Sequence, residues 1–379
     1  MRRLLLLLLL HGFAALPQKV LHGKVIDAKS GEPLVGANVF VANSTWQTLS
    51  NEAGQFSIQM PDHAAQLVVT FVGYEPQVLQ ASDLPDRLVR YVVPMHAEVN
   101  QLKPVAILSA AHRKQLMNAF IAYFIGTTQN ASQTKIMNPD EIVFHLEDDG
   151  SWEASATEPL IIENRGLNYR IDFVLSAFKM LPRENKCIYA GYPAFSDLKP
   201  PSRKVLAARQ RAYLGSQMHF VRSAYNGTLR AEGFTIDHYM RERNPNFPTQ
   251  EKYLAYRNEI QQLAKSGTFK KVEPEYNFTL LSKNIDPAQL VTTEGDQKFL
   301  SFPFFLQVLY TGSFEEDGFA HHREHGHQQS MIQLEAEKAR IFPDGNIQNI
   351  DAVIFTGYMA WKKMADLVPT DYQPETYKK

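Results

Sequence analysis

The stretch that most limits the fold of this chain is Gly23 to Tyr74. Four short apolar runs lie in it, at Gly23–Asp27, Ala37–Val41, Gln55–Met60 and Leu67–Val72. Turn chemistry bounds each run. Ser30-Gly31-Glu32-Pro33 separates the first two, Asn51-Glu52-Ala53-Gly54 precedes the third, and Pro61-Asp62 closes it. Short β-branched and aromatic runs at this spacing predict antiparallel strands of a sandwich. Pro76–Gln80 and Arg87–Pro94 extend the pattern, with Ser82–Asp86 as a turn. Nothing in the stretch has the makings of a reaction centre.

The order of these phrases carries a resemblance. GKVID, SGEPLVGANV, NEAGQFSI and LVVTFVGY, in that sequence, resemble the carboxypeptidase-like regulatory domain common in envelope proteins of Bacteroidota. The resemblance implies a transthyretin-like Greek-key sandwich. In that family the domain accompanies metallocarboxypeptidases and precedes TonB-dependent outer-membrane transporters. It covers roughly the first quarter of the chain. The rest is similar to the uncharacterised C-terminal region of exported Bacteroidota proteins, through NPDEIVF, RAYLGSQMHFVRSAYNG and TGYMAWKKMADLVPTDY. No catalytic residues come with it. The helical patterns after Pro104 argue against a transporter barrel.

The chain begins Met1-Arg2-Arg3, then seven leucines, then His11-Gly12-Phe13-Ala14-Ala15. A basic start, a short apolar core and small residues predict a signal peptide over 1–18, cleaved after Ala14 or a little later, or else retained as an anchor. No cysteine stands directly after the leucine run, which argues against a lipid anchor. No later run reaches the ~18 apolar residues of a membrane span, so the mature chain is expected to be soluble or peripheral. The formal net charge of −1 gives no global field for nucleic acid. The single cysteine, Cys187, lies in an apolar run and is expected to be buried and inert.

Beyond a linker at 98–108, an α+β domain is expected over 109–370, with a polar, frayed tail at 371–379. The overall class is thus mixed: an all-β sandwich at 19–97 followed by α+β. Leu116, Phe120 and Tyr123 predict a helix over Ala110–Tyr123. Ile142–Leu146, Pro159–Ile162 and Leu167–Leu175 predict strands, the last alternating, with Ile188–Phe195 as its partner. Lys199–Tyr225 predicts one helix with a stripe of Leu214, Met218, Val221 and Tyr225. Its Arg203, Lys204, Arg209, Arg211 and Arg222 make the most basic segment of the chain. They read either as a patch for phosphate, lipid headgroups or an acidic partner, or, the preferred reading, as a solvated helix face. Thr249–Ser266 and Tyr358–Leu367 predict two more helices, and Tyr276–Ser282, Phe299–Tyr310 and Val353–Phe355 strands.

One cluster invites a metal. His321-x-x-Glu324-His325 has the spacing of the inverted zinc-peptidase motif, with His321 and His325 as ligands and Glu324 as general base. The flanking His322, Arg323, Gly326 and His327 would not bury a metal helix, and a third ligand would have to come from Glu335 or Glu337. Metallocarboxypeptidase chemistry is rejected. His321-x-x-Glu324 is the only His-x-x-Glu pair, and no histidine follows His327. Asp148-Asp149-Gly150 reads as a turn, Glu315-Glu316-Asp317 as a charged loop, and Trp46, Trp152 and Trp361 as core rather than a sugar platform. No site residue, metal or cofactor is therefore assigned. The expected role is a non-catalytic binding or assembly module of the envelope, with an unidentified envelope protein or glycan as partner. A zinc hydrolase built on His321, Glu324 and His325, or a glycan binder, are the alternatives.

Overall fold

The computed structural model describes residues 18–61, 66–80, 84, 91–98, 108–182, 186–247, 275–320 and 326–374. By contacts the chain divides into two units. One holds residues 1–113, 136–163 and 169–197; the other holds 114–135, 164–168 and 198–379. The chain is predominantly β, an N-terminal sandwich followed by a mixed α+β region.

Among the described residues the sandwich has seven strands: β1 (Gln18–Asp27), β2 (Asn38–Val41), β3 (Gln47–Leu49), β4 (Gln55–Pro61), β5 (Gln66–Thr70), β6 (Gln77–Gln80) and β7 (Tyr91–Met95). One sheet runs β4-β1-β7 and the other β3-β2-β5-β6. The four apolar runs become β1, β2, β4 and β5. Sequence pattern missed the short β3. It also missed that β1 and β7 pair in parallel.

Val25, Ile58, Met60, Val93 and Met95 from the first sheet meet Val39, Val41, Leu67 and Val69 from the second. Strict alternation would leave Phe40 and Val68 facing water. Both are buried, because they pack on Val174 and Ala194 of a third layer. That is why the β2 and β5 sequences are continuously apolar rather than alternating.

The turn after β1 explains two of the family phrases together. The Asp27 carboxylate accepts from the N–H groups of Lys29 (2.8 Å) and Ser30 (2.6 Å), and from the Tyr74 hydroxyl (2.7 Å). The Asp of GKVID and the Tyr of LVVTFVGY thus close one hydrogen-bonded corner. The Ser30 N–H, then the Tyr74 hydroxyl, hold Asp27 down to a pKa of about 2. A carboxylate lowered on folding adds stability above its ordinary value of 3.8 and loses it as the pH falls toward 2. Asp27→Asn is expected to lower the melting midpoint at pH 6 and to flatten its fall between pH 4 and pH 2. An unchanged acid limb would show that the corner does not hold.

The third layer is a six-stranded sheet: β8 (Thr134–Ile136), β9 (Ile142–Leu146), β10 (Trp152–Ala156), β11 (Leu160–Asn164), β12 (Tyr169–Leu181) and β13 (Lys186–Asp197). Its order is β8-β11-β12-β10-β9, with β13 on β12. Strands β12 and β13 are the predicted pair. A bulge between Leu175 and Ala177 resets the alternation, so Tyr169, Ile171 and Phe173 are buried before it, and Phe178 and Met180 after it. Trp152 is buried, edge-on to Phe144 and stacked on Phe178. Cys187 departs from expectation. It lies half-buried on β13, which pairs with β12.

Among the described residues the second unit contains two sheets. The strands are β14 (Phe234–Arg243), β15 (Tyr276–Ser282), β16 (Val291–Glu294), β17 (Gln297–Leu300), β18 (Phe305–Phe314), β19 (His327–Leu334), β20 (Ala339–Ile341) and β21 (Val353–Gly357). Five run in the order β15-β14-β18-β19-β21 and three in the order β16-β17-β20. The run Phe299–Tyr310 is therefore two strands, parted at Ser301–Phe304. Helix α1 (Ala110–Phe124) buries Leu116, Phe120 and Phe124, with Tyr123 half-buried rather than inside.

Lys199–Tyr225 is not one helix. Helix α2 (Arg203–Tyr213) and helix α3 (Gln217–Asn226) part at Gly215, whose φ of 72° no β-branched or bulky residue takes without strain. A Cβ there would also lie 2.8 Å from the Tyr310 ring. Ser202 and Ser216 cap the two helices through the N–H groups of Val205 and His219. Tyr358–Leu367 also shortens, to one helical turn at Tyr358–Trp361 and a 3-10 turn at Met364–Asp366. The tail is not frayed from its start. Tyr372 packs on Tyr213 and donates from its hydroxyl to Gln210. The expected helix at Thr249–Ser266 lies outside the described residues.

Candidate functional site

Helix α2 is where the basic segment sorts itself. Arg209 and Arg222 are not on a solvated face, as the sequence suggested. The Arg209 guanidinium is buried and donates to the carbonyls of Leu167 (2.9 Å) and Asn168 (3.4 Å). Arg222, on α3, donates to the carbonyls of Asp344, Thr370 and Tyr372. Arg203, Lys204 and Arg211 stay exposed.

Lys204, Ala208 and Arg211 follow one another at four and three residues, so they share one stripe of α2. Between two long cations, the alanine leaves a hollow. The hollow opens into a cleft of about 220 Å³ lined by α2, by Arg165 and Gly166, and by Gln129, Asn130 and Gln133. All of these residues belong to the second unit.

Buried groups behind the cleft fix its walls. Asp366 accepts from Thr128 Oγ1 at 2.7 Å and from Asn130 Nδ2 at 2.8 Å. Asn164 donates to the Ala365 carbonyl and accepts from the Leu167 N–H, and Arg209 holds the same loop from the other side. At the end of α2, Lys362 Nζ donates to the Arg211 carbonyl at 3.2 Å, where the helix dipole favours a cation. Gly166 sits close against Asn130: a Cβ on it would lie 2.9 Å from Asn130 Oδ1. Any side chain there displaces the asparagine or fills the cleft floor.

Burial shifts the titration of this network. It pulls Lys362 below its ordinary value, against the attraction of Asp366 and Glu316. It pushes Asp366 up, against Lys362 and the hydrogen bonds from Thr128 and Asn130. The Tyr358 hydroxyl, which donates to Glu316 at 3.1 Å, is pushed up by burial and then by that carboxylate. Glu316 is thus more than a member of a charged loop. Trp361 packs on Phe319 and Tyr358 and donates to Thr127 Oγ1.

The lining of the cleft consists of three cations, three side-chain amides and three small or apolar residues. Such a set recognises anions and hydroxyl groups. It offers no carboxylate, imidazole, hydroxyl or thiol for proton transfer or attack. A His–carboxylate pair does exist elsewhere in the unit. The Gly215 N–H donates to His219 Nδ1, which leaves Nε2–H to face Glu232 at 3.3 Å. That ring is buried among Tyr213, Phe234 and Tyr310, and burial lowers its pKa. It serves the break between α2 and α3.

His321, Glu324 and His325 lie outside the described residues. Among the described residues, no group of three or more His, Cys, Asp and Glu side chains is placed to hold a metal ion. Glu335 is exposed and accepts from Gln333, and Glu337 is exposed. His327 stacks on Phe314 with its Nδ1 buried and unpartnered. Trp152, inside its sheet, cannot contribute to a sugar platform.

Comparison with known proteins agrees with the N-terminal fold. Residues 21–105 match the CarboxypepD_reg-like domain. A solved structure from Bacteroides fragilis, a protein of unknown function provisionally described as membrane-associated, aligns at 10% identity over 86% of this chain and 93% of its own. Its TM-score is 0.17, and nothing is drawn from it. No curated protein matches the chain. The domain is a non-catalytic module. Among the described residues, no helix is long and apolar enough to cross a membrane.

What sequence missed here is the cleft itself. Lys204 and Arg211 were legible only as members of the basic segment. Arg165, Gly166 and Asn130 come from loops more than thirty residues away in the chain, with no signal of their own.

Proposed function

We propose that the chain is an exported, non-catalytic binding or assembly module of a bacterial cell envelope. The supports are the basic and leucine-rich leader, the CarboxypepD_reg-like sandwich at 21–105, and the cleft. The cleft carries the reading: its lining has the chemistry of recognition and lacks that of turnover. The sandwich rests on the chain's own third layer through Phe40 and Val68, while the cleft lies wholly in the second unit. The partner is an envelope protein or a glycan.

The competing reading is a zinc hydrolase using His321, Glu324 and His325. Elemental analysis of the mature protein, purified without a His tag and dialysed, separates the two. Substoichiometric zinc is expected, together with no chelator-sensitive hydrolysis of peptide or ester substrates. One zinc per chain that disappears in His321→Ala would make the chain a metalloenzyme and end the non-catalytic reading.

A further inference from the structure

We infer that the cleft formed by α2, residues 165–166 and residues 129–133 binds the phosphoryl group of a small, sugar-sized ligand. This deepens the binding-module reading and rests on it.

Charge selects the ligand class. Arg165, Lys204 and Arg211 all line the cleft, and no carboxylate lines it with them. Among the described residues, no ion pair engages Lys204 or Arg211. A single carboxylate would leave one of these two charges uncompensated, whereas a phosphoryl dianion matches both. Guanidinium forks also suit tetrahedral oxyanions, to which they donate in pairs.

Shape selects the size. Lys204 and Arg211 are two turns apart, roughly 10 Å along the helix. Both line the cleft, one on each side of Ala208 along the helix, so the anion would sit above the alanine. A volume of about 220 Å³ exceeds what a bare phosphate fills and leaves room for a ring. Gln129 and Gln133 provide neutral amides, which both donate to and accept from sugar hydroxyls. Gly166 keeps the floor open beside Asn130.

Rigidity favours the ligand as well. Asn130 is tied to Asp366, the 164–168 loop to Arg209 and Ala365, and the end of α2 to Lys362. Walls fixed before binding reduce the ordering cost of binding.

Titration calorimetry on the full mature chain, with inorganic phosphate, glucose 1-phosphate and glucuronate as probes, tests the idea. A flotation assay with phosphatidylcholine vesicles, with and without phosphatidic acid, identifies the source of the phosphoryl group. Glucose 1-phosphate is expected to bind at least about tenfold more tightly than glucuronate. Lys204→Glu and Arg211→Glu, both at exposed positions, are each expected to weaken it about tenfold or more at an unchanged melting midpoint. Binding to the acidic vesicles alone, lost in the same variants, would assign the group to a lipid headgroup. No heat with any phosphoryl probe and no flotation would overturn the inference, as would binding that survives both charge reversals. Either result leaves the non-catalytic reading standing. Release of inorganic phosphate from glucose 1-phosphate would do the reverse, keeping the site and ending that reading.

Discussion

Arg222→Ala is expected to lower stability by about 3–5 kcal/mol, the largest loss from any single arginine among the described residues. The side chain is buried on α3 and donates to three backbone carbonyls at 2.8–2.9 Å, those of Asp344, Thr370 and Tyr372. Its guanidinium also lies 5.4 Å from the centre of the Tyr213 ring. Each charge-assisted bond contributes on the order of 1.5–3 kcal/mol, and each carbonyl left without a donor inside the protein costs more than one returned to water. Alanine strands all three. It also removes the link that holds residues 370–372 to the helix. For a unit of this size the melting midpoint should fall by roughly 6–20 °C. Arg222→Lys should recover little, because an ammonium cannot present a fork to carbonyls from two separate segments. Thermal melts of the three proteins decide it. A fall of less than about 2 °C in the alanine variant would mean that the carbonyls find other donors.

The same residue shows where sequence reading stops. The sandwich was legible because its determinants are local or recur in a fixed order. Asn51 Oδ1 accepts from the N–H groups of Ala53 and Gln55 inside the NEAGQF turn, and Asp27 and Tyr74 close the corner between two phrases. Side-chain chemistry of that kind leaves a mark in the sequence. Arg209 and Arg222 leave none, since their acceptors are backbone carbonyls of loops that could carry any side chain. A basic helix face and a pair of buried structural arginines then look alike.

The helix break has a similar cause. The apolar stripe Leu214, Met218, Val221 and Tyr225 runs through the junction with helical spacing, so periodicity predicted continuity. Gly215 and the cap at Ser216 outweighed it, because Gln328 and Tyr310 leave no room for a side chain at 215. The one-turn helix at Tyr358 is short for a different reason. Lys362 leaves the helix to reach the Arg211 carbonyl, a long-range demand that no local pattern announces.

Asp366 carries the second large effect, and it reaches the cleft without touching a ligand. Its carboxylate is buried, accepts from Thr128 and Asn130, and offsets the charge of buried Lys362. Asp366→Ala leaves two donors without this acceptor and a buried ammonium with only Glu316 left to offset it. A loss of about 3 kcal/mol or more is expected. Asn130, no longer held, should also turn from the cleft wall and weaken phosphoryl binding in the same variant. The pH dependence distinguishes this from plain loss of packing. Burial raises the Asp366 pKa above its ordinary value of 3.8. The folded state therefore holds this proton more tightly than the unfolded one, and the group's contribution falls as the pH climbs from that ordinary value through the raised one. Lys362→Met removes the attraction that opposes this rise, so its stability should fall more steeply with pH than that of the wild type. Asp366→Asn, which cannot ionise, should remove this group's share and leave a shallower slope. Melts from pH 4 to pH 8 on the three proteins provide the comparison. If Asp366→Asn keeps the wild-type slope, the buried carboxylate is not its source, and the link between Asp366 and the cleft has to be given up.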